Sequence, residues 1–108
     1  MENISLDKNK ALEIIMDDDA IIIDVRTEEE LEENPPISDD VYNIPFNNKF
    51  IEIIEEEELD KDTKILIYCS HGVRSIKAAL LMREKGFTNV FSLEGGLEAI
   101  LSGDGCWN

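Results

Sequence analysis

Basic residues are scarce in this chain. Ten lysines and arginines stand against 25 aspartates and glutamates among 108 residues, a formal net charge of −15. A surface of that sign repels phosphate backbones and anionic headgroups, so neither nucleic acid nor a membrane is an expected partner. Histidine is rarer still, with His71 the only one. No CxxC pair and no His/Cys cluster stands at metal-ligand spacing, so no metal and no cofactor is expected. The two cysteines, Cys69 and Cys106, are too few for a disulfide scaffold, and the expected location is the reducing cytoplasm. No run approaches the roughly 18 apolar residues of a membrane span. Met1-Glu2-Asn3-Ile4-Ser5 has no basic region followed by an apolar core, so no secretory signal is expected. Internal repeats and dividing linkers are also lacking. The chain therefore reads as one domain over residues 1–101, with residues 102–108 as a flexible tail of turn composition.

What is present is an ordinary apolar fraction, 43%, arranged in alternating patterns. Ser5 is placed to cap a first helix reaching about Met16, with Leu6, Leu12, Ile15 and Met16 as its stripe. Asp17-Asp18-Asp19 opposes the helix dipole and ends it. Ala20-Ile21-Ile22-Ile23 predicts a strand buried on both faces. Thr27 and Glu30 form a capping box for a short helix to about Glu33, stopped by Pro35-Pro36. Val41-Tyr42-Asn43-Ile44 predicts a strand, and Asn47 or Asn48 caps a helix bearing Phe50, Ile53 and Ile54. Lys64-Ile65-Leu66-Ile67-Tyr68 is the next strand, and residues 76–85 the next helix, closed by Gly86. A strand over residues 89–93 and a helix over residues 97–101 complete the series. Such alternation specifies an α/β fold, an open parallel sheet with helices on both faces. Ligands of open parallel sheets sit beyond the carboxyl ends of the strands. Cys69 follows one such end and Asp24-Val25-Arg26 another.

The stretch from Cys69 to Ser75 carries the chemistry. A strand delivers a thiol to a turn that opens a helix, where unpaired N–H groups and the helix dipole favour thiolate over thiol. Consecutive N–H groups of Ser70, His71, Gly72 and Val73 can converge into an anion nest, and Gly72 supplies the freedom to curl. Arg74 adds a fixed charge and a fork of donors. Ser75 is placed either to cap the helix or to donate to an anion. That anion is the thiolate itself, or a sulfur or sulfonate attached to it. A lone cysteine after a buried strand is more often a structural residue, and it is the loop that makes Cys69 the expected nucleophile. Cys106 is read as an incidental thiol of the tail, with a resolving role against Cys69 as the alternative.

Cys69-Ser70-His71-Gly72-Val73-Arg74-Ser75 resembles the active-site loop of the rhodanese (sulfurtransferase) family, Cys-x-x-Gly-x-Arg-Ser. Three further segments are similar in order and spacing: Ile23-Asp24-Val25-Arg26-Thr27 with Glu30, then Asn43-Ile44-Pro45, then Leu93-Glu94-Gly95-Gly96-Leu97. The resemblance runs from about Ile4 to Leu101. It implies a parallel sheet of about five strands and a two-step, covalent sulfur transfer. Cys69 would take sulfane sulfur from thiosulfate, polysulfide or a persulfide and pass it to a thiol, cyanide or a sulfur-carrier protein. By position, Ser70 through Ser75 would bind substrate, His71 would line the loop and tune donor choice, and Asp24 and Arg26 would support the loop. Two segments depart from the family pattern. Residues 34–41 replace its usual glycine-histidine-isoleucine-x-glycine-alanine turn, and Ser70 stands where many thiosulfate-using members have arginine. Two alternatives accompany this reading. Cysteine-dependent phosphatases and arsenate reductases use a Cys-x5-Arg loop, whereas four residues separate Cys69 from Arg74 here. A non-catalytic module of the same fold is the other.

Overall fold

The core strands are built of residues that suit burial on two faces. In the computed structural model, which describes residues 4–101, β4 (Ile65–Tyr68) lies at the centre of a five-stranded sheet. The other strands are β1 (Ser5–Leu6), β2 (Ile21–Asp24), β3 (Tyr42–Asn43) and β5 (Val90–Leu93). Their order is β1-β5-β4-β2-β3, and every pairing is parallel. Parallel neighbours need crossovers, and helices α1 (Lys8–Ile15), α2 (Glu28–Glu33), α3 (Phe50–Glu56), α4 (Val73–Glu84) and α5 (Gly96–Leu101) occupy the connections and the chain's C-terminal side. The expected tail at 102–108, with Cys106 and Trp107, lies outside the described residues. No helix among the described residues is long and apolar enough to cross a membrane.

Side-chain alternation divides the core into two layers. Ile65, Ile67 and Cys69 face one way and pack with Phe50 and Ile54 of α3 and Ala78, Ala79 and Met82 of α4. Leu66 and Tyr68 face the other way, against Ala11 and Ile14 of α1 and Leu97 of α5. Phe50 and Ile54 are fully buried, and each such burial contributes about 1.5–3 kcal/mol. The parity that sends Ile67 toward α4 also sends Cys69 there. Ser92 of β5 is a buried polar residue within an apolar strand, and it is hydrogen-bonded to Ser75 of α4.

Three local expectations are corrected. Ser5 does not cap α1: it belongs to β1, and Asp7 is the cap, its Oδ1 accepting from Lys10 N at 2.9 Å. A two-residue strand has no periodicity to read. It exists because the Ile4 and Leu6 carbonyls accept from the N–H groups of Ser92 on β5 and of Glu94 just after it. Neither Asn47 nor Asn48 is the N-cap of α3, which is Lys49 without a side-chain cap. Asn47 Oδ1 instead accepts from Lys49 N at 2.8 Å, a turn just before the helix. Finally, α4 begins at Val73 rather than Ile76, because Gly72 at φ 93° turns the chain in one residue. Arg74 and Ser75 are therefore in the first helical turn.

Candidate functional site

Cys69 follows the last residue of β4, and its thiol is enclosed by the turn that starts α4. The residue is 1% exposed. Gly72 N donates to its Sγ at 3.0 Å, and Ser75 Oγ lies 3.6 Å away. Ser75 is itself fixed, with Oγ donating to the Gly72 carbonyl at 3.3 Å and 2.7 Å from Ser92 Oγ. Burial by itself raises the thiol pKa. The hydrogen bond between the thiol and the Ser75 hydroxyl, together with the backbone N–H groups of Ser75, His71 and Gly72, outweighs it, leaving the pKa below that of an ordinary cysteine. A thiol with this many donors is a candidate nucleophile for a physical reason.

The donors are aimed by α5. Leu97 N and Glu98 N donate to the carbonyls of Cys69 and Ser70 at 2.8 and 3.0 Å, which turns the loop's N–H groups inward. Only glycine permits that approach at position 96. Its φ is +66°, and a Cβ there would stand 2.5 Å from the Cys69 carbonyl oxygen and 2.6 Å from Ser70 C.

Arg74 takes a different position from the one the loop pattern suggests. Its Nη1 and Nη2 donate to Glu30 Oε1 and Oε2 at 2.7 and 2.8 Å, a bidentate pair. Ser70 Oγ donates to the same Oε2 at 2.6 Å, and Thr27 N to Oε1 at 3.0 Å. The Arg74 hydrogen bonds, helped by Ser70 and Thr27, hold the Glu30 carboxyl far below the usual carboxylate range. Glu30 thus does two jobs. The capping box accounts for it locally, and that sufficient local explanation concealed its second role as the clamp on the cysteine loop.

Asp24 and Arg26 support the site from β2. Arg26 Nη2 lies 2.8 Å from Asp24 Oδ2, and both side chains are buried. Arg26 loses proton affinity through burial but gains more from Asp24, so its pKa is raised. Asn43 Nδ2 donates to the carbonyls of Asp24 and Arg26, tying β3 to the same corner. The guanidinium lies 5.8 Å from the Tyr68 ring centre, and Tyr68 Oη accepts from Ile37 N at 3.1 Å. Burial drives the Tyr68 pKa well above that of an ordinary tyrosine. Arg26, Asn34, Ser70, His71, Leu97 and Glu98, with Leu101, line a cavity of about 370 Å³ against the loop. At its mouth His71 Nε2 is 2.9 Å from Glu98 Oε2. Val73 is 61% exposed and contributes no side chain to the cavity. The structure therefore brings together Cys69, His71, Gly72 and Ser75 at the sulfur, and Ser70 and Arg74 at Glu30. Glu30 and Gly96, quoted in the similar segments without a site role, and Ser92 and Glu98, not named there, complete the site.

A family model described as the rhodanese-like domain matches residues 7–102. A tRNA uridine(34) hydroxylase of Erwinia tasmaniensis is 36% identical over 94 residues, which cover 82% of this chain and 26% of that protein. The chain spans about a quarter of the length of such curated relatives. Among solved structures, a polysulfide-sulfur transferase homodimer from Wolinella succinogenes superposes with a TM-score of 0.77 at 24% identity, covering 92% of this chain and 73% of that one. A human single-domain sulfurtransferase gives 0.73 at 18% identity, covering 95% and 99%. These two likenesses are of fold. With its family match over nearly the whole length, and with a cysteine loop closing a central parallel strand, the chain belongs to the rhodanese-like domain family.

Proposed function

We propose that this domain is a sulfurtransferase that carries sulfane sulfur on Cys69. The thiolate attacks the outer sulfur of thiosulfate, a polysulfide or a persulfide. The donor's S–S bond breaks, sulfite or a thiolate leaves with the electron pair, and Cys69 becomes a persulfide. A thiol, cyanide or sulfur-carrier protein then attacks the outer sulfur and restores the Cys69 thiolate. The supporting observation is the 3.0 Å donation from Gly72 N to Sγ, beside further hydrogen bonds that lower the thiol pKa, which favours the resting thiolate that attacks the donor. A persulfide places its outer sulfur about 2 Å beyond Sγ, away from the buried end of the side chain. Such chemistry needs a free thiol, which the reducing cytoplasm keeps.

The test is intact mass after incubation with thiosulfate or polysulfide. Wild type gains one sulfur that reductant removes, and Cys69→Ser gains none. Absence of any gain with every sulfane donor would remove the basis for the proposal. The short Cys-x4-Arg interval and the commitment of Arg74 to Glu30 weigh against a phosphatase, which needs the arginine on its oxyanion. The likeness to the tRNA uridine(34) hydroxylase favours one second reading, a module whose Cys69 serves the modification of a tRNA uridine. A net charge of −15 weighs against this chain gripping RNA itself. Micromolar tRNA binding at physiological salt would favour that reading.

A further inference from the structure

The basic side chains around the candidate site are each matched by a carboxylate. Arg74 gives both terminal nitrogens to Glu30. Arg26 is buried against Asp24, and His71 meets Glu98 at 2.9 Å. Among the described residues, Arg26 and His71 are the only basic ones lining the cavity of about 370 Å³. Ser70, directly after the cysteine, brings a hydroxyl, and that hydroxyl is donated to Glu30. The two arginine pairs cancel, and Glu98 adds a carboxylate at the mouth. Around this lies a surface of net charge −15. Among the described residues lining the cavity, an incoming dianion meets no unmatched positive charge to replace its hydration, and it must approach against a negative field. Leu97 and Leu101 supply an apolar wall suited to an organic group.

We infer that the site selects sulfur donors of low negative charge, taking neutral or cationic organic persulfides in preference to thiosulfate and anionic persulfides, with Glu98 as a specificity-determining residue. This rests on the sulfur-transfer reading above and names its substrate class. The Cys69 thiolate attacks the outer sulfur of R–S–SH. The donor's S–S bond breaks, and R–S⁻ leaves with the electron pair and takes a proton from water. Cys69 keeps the sulfur with its terminal hydrogen, so no external oxidant or reductant is involved.

The experiment compares cysteamine persulfide and 3-mercaptopropionate persulfide, which differ chiefly in the sign of one charge, with thiosulfate as a dianion. Single-turnover loading of Cys69 is followed by intact mass at low ionic strength. The cysteamine compound should load about tenfold faster than the mercaptopropionate compound, the scale of unit charges several ångströms apart in a partly solvated cleft. Thiosulfate should be slower still, and high salt should shrink the differences. Glu98 is exposed, so Glu98→Gln and Glu98→Lys should fold normally. The first should narrow the cysteamine-to-mercaptopropionate ratio about threefold and the second should abolish it. The inference is overturned if anionic donors load wild type as fast as the cationic one, or if neither variant moves the ratio. Failure to load from all three donors would instead overturn the sulfur-transfer reading beneath it.

Discussion

Replacing Glu30 with glutamine separates the clamp on the cysteine loop from the helix cap. Glutamine keeps an oxygen for the Thr27 N–H, so the capping box survives, but it removes the charge that faces Arg74. Two Arg74 bonds and the Ser70 bond converge on the carboxylate. Hydrogen bonds to charged groups contribute about 1.5–3 kcal/mol, and one of them must be lost when an amide NH2 replaces an oxygen. The side chains of Arg74 and Glu30 are 34% and 29% exposed, so solvent screens part of the remainder. The net expectation for Glu30→Gln is a loss of about 2 kcal/mol, equivalent to a fall in Tm of about 8–16 °C for a domain of this size. Glu30→Ala also loses the cap, for a total near 3 kcal/mol. The Glu30 pKa is lower in the folded than in the unfolded chain. Its contribution is therefore complete above the ordinary value of 4.5 and is lost as pH falls from there toward the folded value. The gap between wild type and Glu30→Gln should close in acid. Urea unfolding at neutral pH and at a series of acidic pH values measures both effects. A neutral-pH difference under about 0.5 kcal/mol would refute the clamp, being the size of an ordinary surface substitution. So would a gap that widens as pH falls.

Two further substitutions test the thiol and its frame. Ser75→Ala removes a hydroxyl that helps lower the Cys69 pKa, so the midpoint of iodoacetamide alkylation against pH should move upward, with the high-pH rate retained. An unmoved midpoint would show that the backbone donors alone set the ionisation. Gly96→Ala places a methyl 2.5 Å from the Cys69 carbonyl and forces a side chain to φ +66°. It should cost about 3 kcal/mol or more and slow alkylation of Cys69, since α5 can no longer seat against the loop. A thermal melt within a degree or two of wild type would contradict that packing.

The sequence by itself determined the chain's alternation of strands and helices, the capping box at Thr27, and the place of Cys69 at a strand's end. Each depends on near neighbours: β-branched runs, an i,i+3 pair, and a glycine three residues after a cysteine. The two residues of β1 were illegible because their pairing is made by Ser92 and Glu94, over 80 positions away in sequence. The edge of α4 was misplaced because a single left-handed glycine shortens the loop. The largest difference concerns charge. Arg74 reads as a free cation beside a cysteine, and only the tertiary structure brings Glu30 within 2.7 Å of it from a helix 44 positions earlier. Local pattern can place a charged side chain, but whether its charge remains available is decided by what folds against it.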